Sequence, residues 1–266
     1  MANKESSLSG LQWISIGVSI ALFLVLYFGF STKSPEQKKV EMVRSQNLEA
    51  TSIMNLLNEA GDRLSEESAA VLHSLEADLR DTDTDSLKVP IYEAMSRFWY
   101  QQGEYAIAGH YAEKIAEILQ SEQSWSIAGT THALALQKET EEDKRNYSFQ
   151  RAVNAFESAI SINPGNVQHK LNLALCYTEI PPQDNPMRGI QMLLQLQDEN
   201  PEYAGVKIAL ARLAIKTGQY EKALERLTQA REIDPSDKRI PCLLSEVYRM
   251  LGNEEEAAKN EFDCLN

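Results

Sequence analysis

Residues 204–237, AGVKIALARLAIKTGQYEKALERLTQAREIDPSD, leave few folds open other than a helical hairpin. Ile208, Leu210, Ala211, Leu213 and Ala214 give the first half one apolar stripe. Gly218 and Gln219 interrupt it. Ala223, Leu224, Leu227, Ala230 and Ile233 then recur mostly three and four apart, and Pro235 stops the second half. Small residues at Ala211, Ala223 and Ala230 let two helices approach closely. Neither helix buries its stripe alone, so the unit needs copies of itself on either side.

The spacing resembles the tetratricopeptide repeat. Counted from Ala204, the residues Leu210, Ala211, Gly218, Tyr220, Ala223, Leu227, Ala230 and Pro235 fall on the signature positions of that 34-residue unit, while Lys207 and Ala214 depart from it. Similar matches divide the chain into five repeats, 89–121, 122–166, 167–203, 204–237 and 238–266. Position 11, where Ala214 departs, is kept in the other four units by Trp99, His132, Tyr177 and Tyr248. Two units are enlarged. Lys138–Ser148, KETEEDKRNYS, inserts charge into 122–166 and is either a longer helical turn or an exposed loop. Pro181–Pro186 replaces the tight turn of 167–203. Residues 36–86 read as an N-terminal helical pair, a cap or a degenerate repeat, with Ser65 as N-cap and Glu66 and Glu67 in the first turn. The charged helix that closes 238–266 suits the capping role such arrays require. The resemblance implies an all-α fold, a right-handed superhelix or α-solenoid, and an apolar stretch ahead of it reads as a single N-terminal transmembrane helix.

That span is Leu11–Phe30, LQWISIGVSIALFLVLYFGF, which has no charged residue. A helix crossing a ~30 Å hydrocarbon core needs about 20 such residues. Trp13 and Tyr27 sit toward its two ends, where amphipathic rings prefer the interface. A cleaved signal peptide is the rival reading, but the apolar run is long for one and Gly29-Phe30-Ser31 is a poor cleavage site. Residues 1–10 form a short tail. Residues 31–44 form a basic juxtamembrane linker carrying Lys33, Lys38, Lys39 and Arg44, against Lys4 alone before the span. This bias predicts repeats on the cytoplasmic side of a bacterial inner membrane. Small residues at Gly17 and Ala21, and at Ser15 and Ser19, would let two spans dock as a homo-oligomer.

The net charge is −13, which argues against nucleic acid as a partner. Cys176, Cys242 and Cys264 are far apart and lack any CxxC pairing. They read as core thiols and one near the end, with a metal site or a disulfide as the alternative. The histidines His73, His110, His132 and His169 lie in separate helices. No HExxH, phosphate loop or GxSxG appears, so no catalytic residue, cofactor or metal is expected. Asp81–Asp85 starts like a calcium loop but lacks its Gly and Glu, and reads as a solvated acidic turn.

The stretch 106–137 and the stretch 172–201 look like segments of a membrane-anchored bacterial repeat family. The layout is also similar to envelope-assembly scaffolds, although the zinc module of paired CxxC motifs found on one of them is missing. By the resemblance, the first helix of each repeat lines a concave groove that takes a protein or peptide. Arg97, Tyr100, Asn172, Arg212, Lys216, Arg239 and Arg249 fall on groove positions. Their cations collect toward the C-terminal repeats, an arrangement suited to an acidic or carboxylate-ended peptide. The expected function is therefore a membrane-tethered, non-enzymatic scaffold. The alternatives are a structural self-associating membrane protein and a periplasm-facing envelope chaperone.

Overall fold

The computed structural model describes Trp13, Val18 and residues 53–265. The chain divides into two units, 1–54 and 55–266. Apart from Trp13 and Val18, the span, the linker and the first part of the N-terminal pair lie outside the described residues. Among the described residues no helix is long and apolar enough to cross a membrane.

Twelve helices and no strand occur among the described residues. They are α1 (residues 53–61), α2 (Glu66–Arg80), α3 (Asp85–Gln101), α4 (Tyr105–Leu119), α5 (Glu122–Lys138), α6 (Glu142–Ile162), α7 (Val167–Glu179), α8 (Arg188–Glu199), α9 (Ala204–Lys216), α10 (Tyr220–Ile233), α11 (Arg239–Met250) and α12 (Glu254–Leu265). From α3 onward they pair as hairpins, each packed on the next. First helices of successive hairpins also touch: α5 meets α7, α7 meets α9 and α9 meets α11. This is a solenoid of helical pairs.

Local chemistry sets the helix ends. The Ser65 side chain accepts a hydrogen bond from the Ser68 amide at 3.2 Å and caps α2, with Glu66 and Glu67 in the first turn. Ser121 and Ser124 cap each other's amides at the start of α5. One start differs from expectation. The repeat that begins at Val89 by spacing has its helix from Asp85, so Pro90 lies inside it. Asp85 supplies the negative charge that a first turn favours, and Lys88 pairs with it at 3.1 Å.

Three hairpins close through the same turn. Gly103, Gly218 and Gly252 adopt φ of 82°, 71° and 76°. The amide of the next residue then reaches back to a helix carbonyl: Glu104 to Trp99 at 2.9 Å, Gln219 to Ala214 at 2.8 Å, Asn253 to Tyr248 at 2.9 Å. Only glycine adopts this backbone freely. The two enlarged repeats have no glycine there and turn differently.

The core is a chain of shared seams. Ile208, Ala211, Leu227 and Ala230 of one hairpin pack with Ile240, Leu244 and Val247 of the next. Leu171, Leu193 and Leu196 pack with Val206 and Leu210. Phe149, Val153 and Phe156 pack with Leu173, Cys176 and Tyr177. Ala112, Ala116, Ala128 and Ala155 bring α4, α5 and α6 together.

The insert at Lys138–Ser148 is helical for most of its length. It lengthens α5 to 17 residues and α6 to 21, against 13 and 14 for α9 and α10. The cysteines differ from the thiol reading: Cys242 and Cys264 form a disulfide, and Cys176 is buried and free. An antiparallel hairpin brings the first turn of α11 beside the last turn of α12, a proximity that spacing alone does not reveal.

Candidate functional site

Two cavities open on the first helices of the repeats. The first, of about 580 Å³, lies between α3, α4 and α5 and includes Glu93, Arg97, Tyr100, Ile115, Leu119 and Ile127. Trp99 is fully buried beside it and Phe98 nearly so, whereas Tyr100 is half exposed. Helical phase accounts for this split: two of three consecutive rings point into the seam and the third leaves it. Tyr100 is held edge-on by Tyr105, with ring centroids 5.1 Å apart.

The second cavity, of about 410 Å³, lies between α5, α7 and α9, with Arg239 of α11 at its edge. Leu134, Leu171, Leu175 and Leu213 supply apolar lining, and Gln168, Asn172 and Glu179 the polar lining. Arg212 and Lys216 project from successive turns of α9 into the same space. Both are exposed, and among the described residues neither has a carboxylate within salt-bridge distance. Arg239 is occupied differently. Its Nε donates to Asp237 Oδ1 at 2.9 Å. The bond from Arg239 holds the Asp237 carboxyl below its ordinary value, with a smaller contribution from Arg212. Asn172 accepts from Gln168 Nε2 at 2.7 Å, and the Gln168 carbonyl takes the Tyr203 hydroxyl. Both amides are thus fixed in the wall.

The seven groove candidates therefore separate. Arg97 and Tyr100 line the first cavity. Asn172, Arg212, Lys216 and Arg239 line the second. Arg249 lines neither and donates to Glu261 of α12 at 2.9 Å. Helix α5 divides the two sets, giving Gln123, Ile127 and Thr131 to one and Thr130, Ala133 and Gln137 to the other. Spacing could not show this partition, because it carries no information on which neighbouring helices enclose one cavity. The apolar lining from Leu134 and Leu213 was also missed; a leucine in a helix pattern reads as core unless its neighbour across the seam is known.

A buried polar node lies away from both cavities. Arg151 Nε donates to Glu113 Oε2 at 2.8 Å, and His132 Nε2 lies 3.6 Å from that oxygen. Burial alone would raise the Glu113 carboxyl, but His132 and Arg151 hold it below its ordinary value. Burial lowers His132, whose ring is fully enclosed. A second node ties α5 to α7: Glu122 accepts from Asn163 at 3.0 Å, from Asn166 at 2.7 Å and from His169 at 2.7 Å. Both join neighbouring helices and read as structural. Among the described residues no group of acidic, histidine and cysteine side chains is placed to hold a metal ion.

The tetratricopeptide repeat family model matches residues 183–240. A curated relative, anaphase-promoting complex subunit 3 of Dictyostelium discoideum, is 31% identical over 111 residues, which are 41% of this chain and 10% of that protein. The chain thus spans about a tenth of that relative's length. Among solved structures, a tetratricopeptide repeat protein from Parabacteroides merdae aligns with a TM-score of 0.48 at 15% identity, over 79% of this chain and 77% of its own. MamA from Desulfovibrio magneticus aligns with a TM-score of 0.41 at 17% identity, over 67% and 93%. Residues 183–240 thus match a tetratricopeptide repeat, and the helical hairpins stacked on either side of them form a solenoid of the same helix-pair kind.

Proposed function

We propose that the chain is a non-catalytic binding scaffold, tethered to a bacterial inner membrane through Leu11–Phe30, that holds a protein or peptide against the first helices of its repeats. The observation that carries this reading is the cavity between α5, α7 and α9. It sets Arg212 and Lys216, neither within salt-bridge distance of a carboxylate among the described residues, beside an apolar wall, with Arg212 also acting through space on Asp237. An acidic segment bearing one bulky apolar side chain satisfies both features. Its carboxylates take charge-assisted bonds from the guanidinium and ammonium groups, and its apolar group covers Leu171, Leu175 and Leu213. A chain of net charge −13 repels such a segment over most of its surface, which favours the basic cavity as the landing place.

The test is direct binding of a fluorescent Glu-rich peptide with a single Leu to the full chain in detergent. R212E/K216E should weaken it by roughly tenfold or more, since each lost charge-assisted contact is worth about 1.5–3 kcal/mol. R249E, outside the cavity, should leave it unchanged. Equal binding by all three proteins would overturn the assignment.

A second reading, the periplasm-facing envelope factor, is favoured by one observation. The Lys and Arg bias after the span favours the cytosolic side for the repeats, but the bond between Cys242 and Cys264 suits an oxidising compartment.

A further inference from the structure

The cysteines of the last described hairpin carry an inference that does not rest on the groove. Cys242 lies in the first turn of α11 and Cys264 in the last turn of α12. Their Cα atoms are 4.9 Å apart and the residues are bonded. That separation falls in the usual disulfide range of about 4.4–6.8 Å. Cys176 cannot compete for either partner. It is enclosed in the seam between α6 and α7, and burial pushes its thiol up to about 12, so it stays protonated and unreactive at neutral pH. An odd number of cysteines thus resolves into one bond and one inert thiol.

Besides the bond, the outer helix of this hairpin is held by the exposed pair of Arg249 and Glu261, by Arg231 on Asn260, and by little apolar burial. Helix α12 buries Ala257 and Asn260, whereas α10, the second helix of the preceding hairpin, buries Ala223, Leu227 and Ala230. It opens with Glu254, Glu255 and Glu256, and Glu261 and Asp263 are exposed near its end. The bond sits at that far end, opposite the Gly252 turn, so the two together clamp α12 at both extremities.

We infer that the repeat region faces an oxidising compartment, across the inner membrane from the cytosol, where the Cys242–Cys264 bond locks α12 onto α11. The cytosolic glutathione and thioredoxin pools keep exposed thiols reduced, and Cys242 is exposed. Formation proceeds by exchange with a disulfide oxidoreductase. The Cys242 thiolate attacks the donor disulfide, releasing one donor thiolate and leaving a mixed disulfide. The Cys264 thiolate then attacks the Cys242 sulfur and expels the second. Two thiols of this chain lose two electrons and two protons, and the donor disulfide becomes a dithiol.

The test has two arms. Cells producing the full chain are quenched in acid, and the denatured protein is tagged with a thiol-specific polymer before and after reduction. One tag before reduction, at Cys176, and three after it is the expected result; C176S should carry none before reduction. Three tags before reduction would overturn the compartment assignment. In the second arm, the purified full chain is digested with and without reductant. Cleavage within 239–265 should accelerate on the order of tenfold or more on reduction, with 85–233 unaffected. C242S/C264S should be cut at the fast rate in either condition. Equal rates for oxidised, reduced and double-variant protein would overturn the lock. Neither arm touches Arg212 or Lys216, so a failure here is separable from a failure of the groove reading.

Discussion

At Gly109 the backbone of α4 runs against the imidazole of His132. A Cβ built there would lie 2.6 Å from Nδ1. The ring cannot retreat, because it is fully enclosed and Tyr147 stands edge-on to it at 6.0 Å between centroids. Gly109→Ala should therefore lose stability by about 1–3 kcal/mol, against the gain of about 1 kcal/mol that Ala normally brings to a helix. Urea denaturation checks this, and adding His132→Ala should recover part of the loss. A second residue sets a pH dependence. Hydrogen bonds from Asn166, Asn163 and His169 depress the Glu122 carboxyl from its ordinary 4.5 to about 2. A depressed carboxyl contributes stability in full above its unfolded value and loses it as pH falls toward the folded one. Thermal midpoints of the native chain and Glu122→Gln should differ at pH 5 and converge as pH is lowered toward 2. A constant gap would show that the carboxylate charge is not what these donors stabilise. The helical positions of both nodes were legible in the sequence. Their partners were not, because they lie 23 to 47 residues away in neighbouring helices.

The insert shows why charge alone misleads at the scale of an element. KETEEDKRNYS has no apolar period, and its sequence fits a loop as well as a helix. In the fold, Lys144, Tyr147 and Ser148 are buried on one face of α6, with Arg151 half-buried one turn on. Those positions have the i, i+3, i+4, i+7 spacing of a helical stripe, visible only if the alkyl stems of Lys and Arg count as apolar. Lys144 Nζ pairs with Glu141 at 3.0 Å and with Glu59 of α1 at 3.4 Å. Arg63 pairs with Glu104 close by. The insert thus docks on the helices that precede it. Lys144→Glu would set a third carboxylate beside Glu59 and Glu141 and should destabilise the fold by roughly 3 kcal/mol. Lys144→Met keeps the stem and should cost less. Guanidinium unfolding of the two variants tests the order.

Across the whole molecule, stability is carried by seams between neighbours. Such a molecule unfolds approximately as a sum of repeat and interface terms. Ending the chain after Asp237 removes Ile240, Leu244 and Val247 from the cluster that covers Leu227 and Ala230. That truncation should lower both the urea midpoint and the m value, because less surface is exposed on unfolding. An unchanged m would mean that the last hairpin folds apart from the rest. At this scale the fold was largely legible, since small and large residues recur at a fixed period and stacked hairpins follow from it. The candidate site was legible in part. The repeat resemblance put Arg97, Tyr100, Asn172, Arg212, Lys216 and Arg239 on first helices, but it carries no information on which of them share a cavity. The span predicted at Leu11–Phe30 lies, but for Trp13 and Val18, outside the described residues and stays with the proposed function.

The ridge that α5 raises between the two cavities has a consequence for recognition. A ligand with one short motif can occupy only one side of it. A ligand with two motifs joined by a linker long enough to cross the ridge binds the second side at a high effective concentration. Two individually weak attachments then multiply into avidity. Under the proposed function, linker length then joins motif chemistry in sorting strong ligands from weak ones.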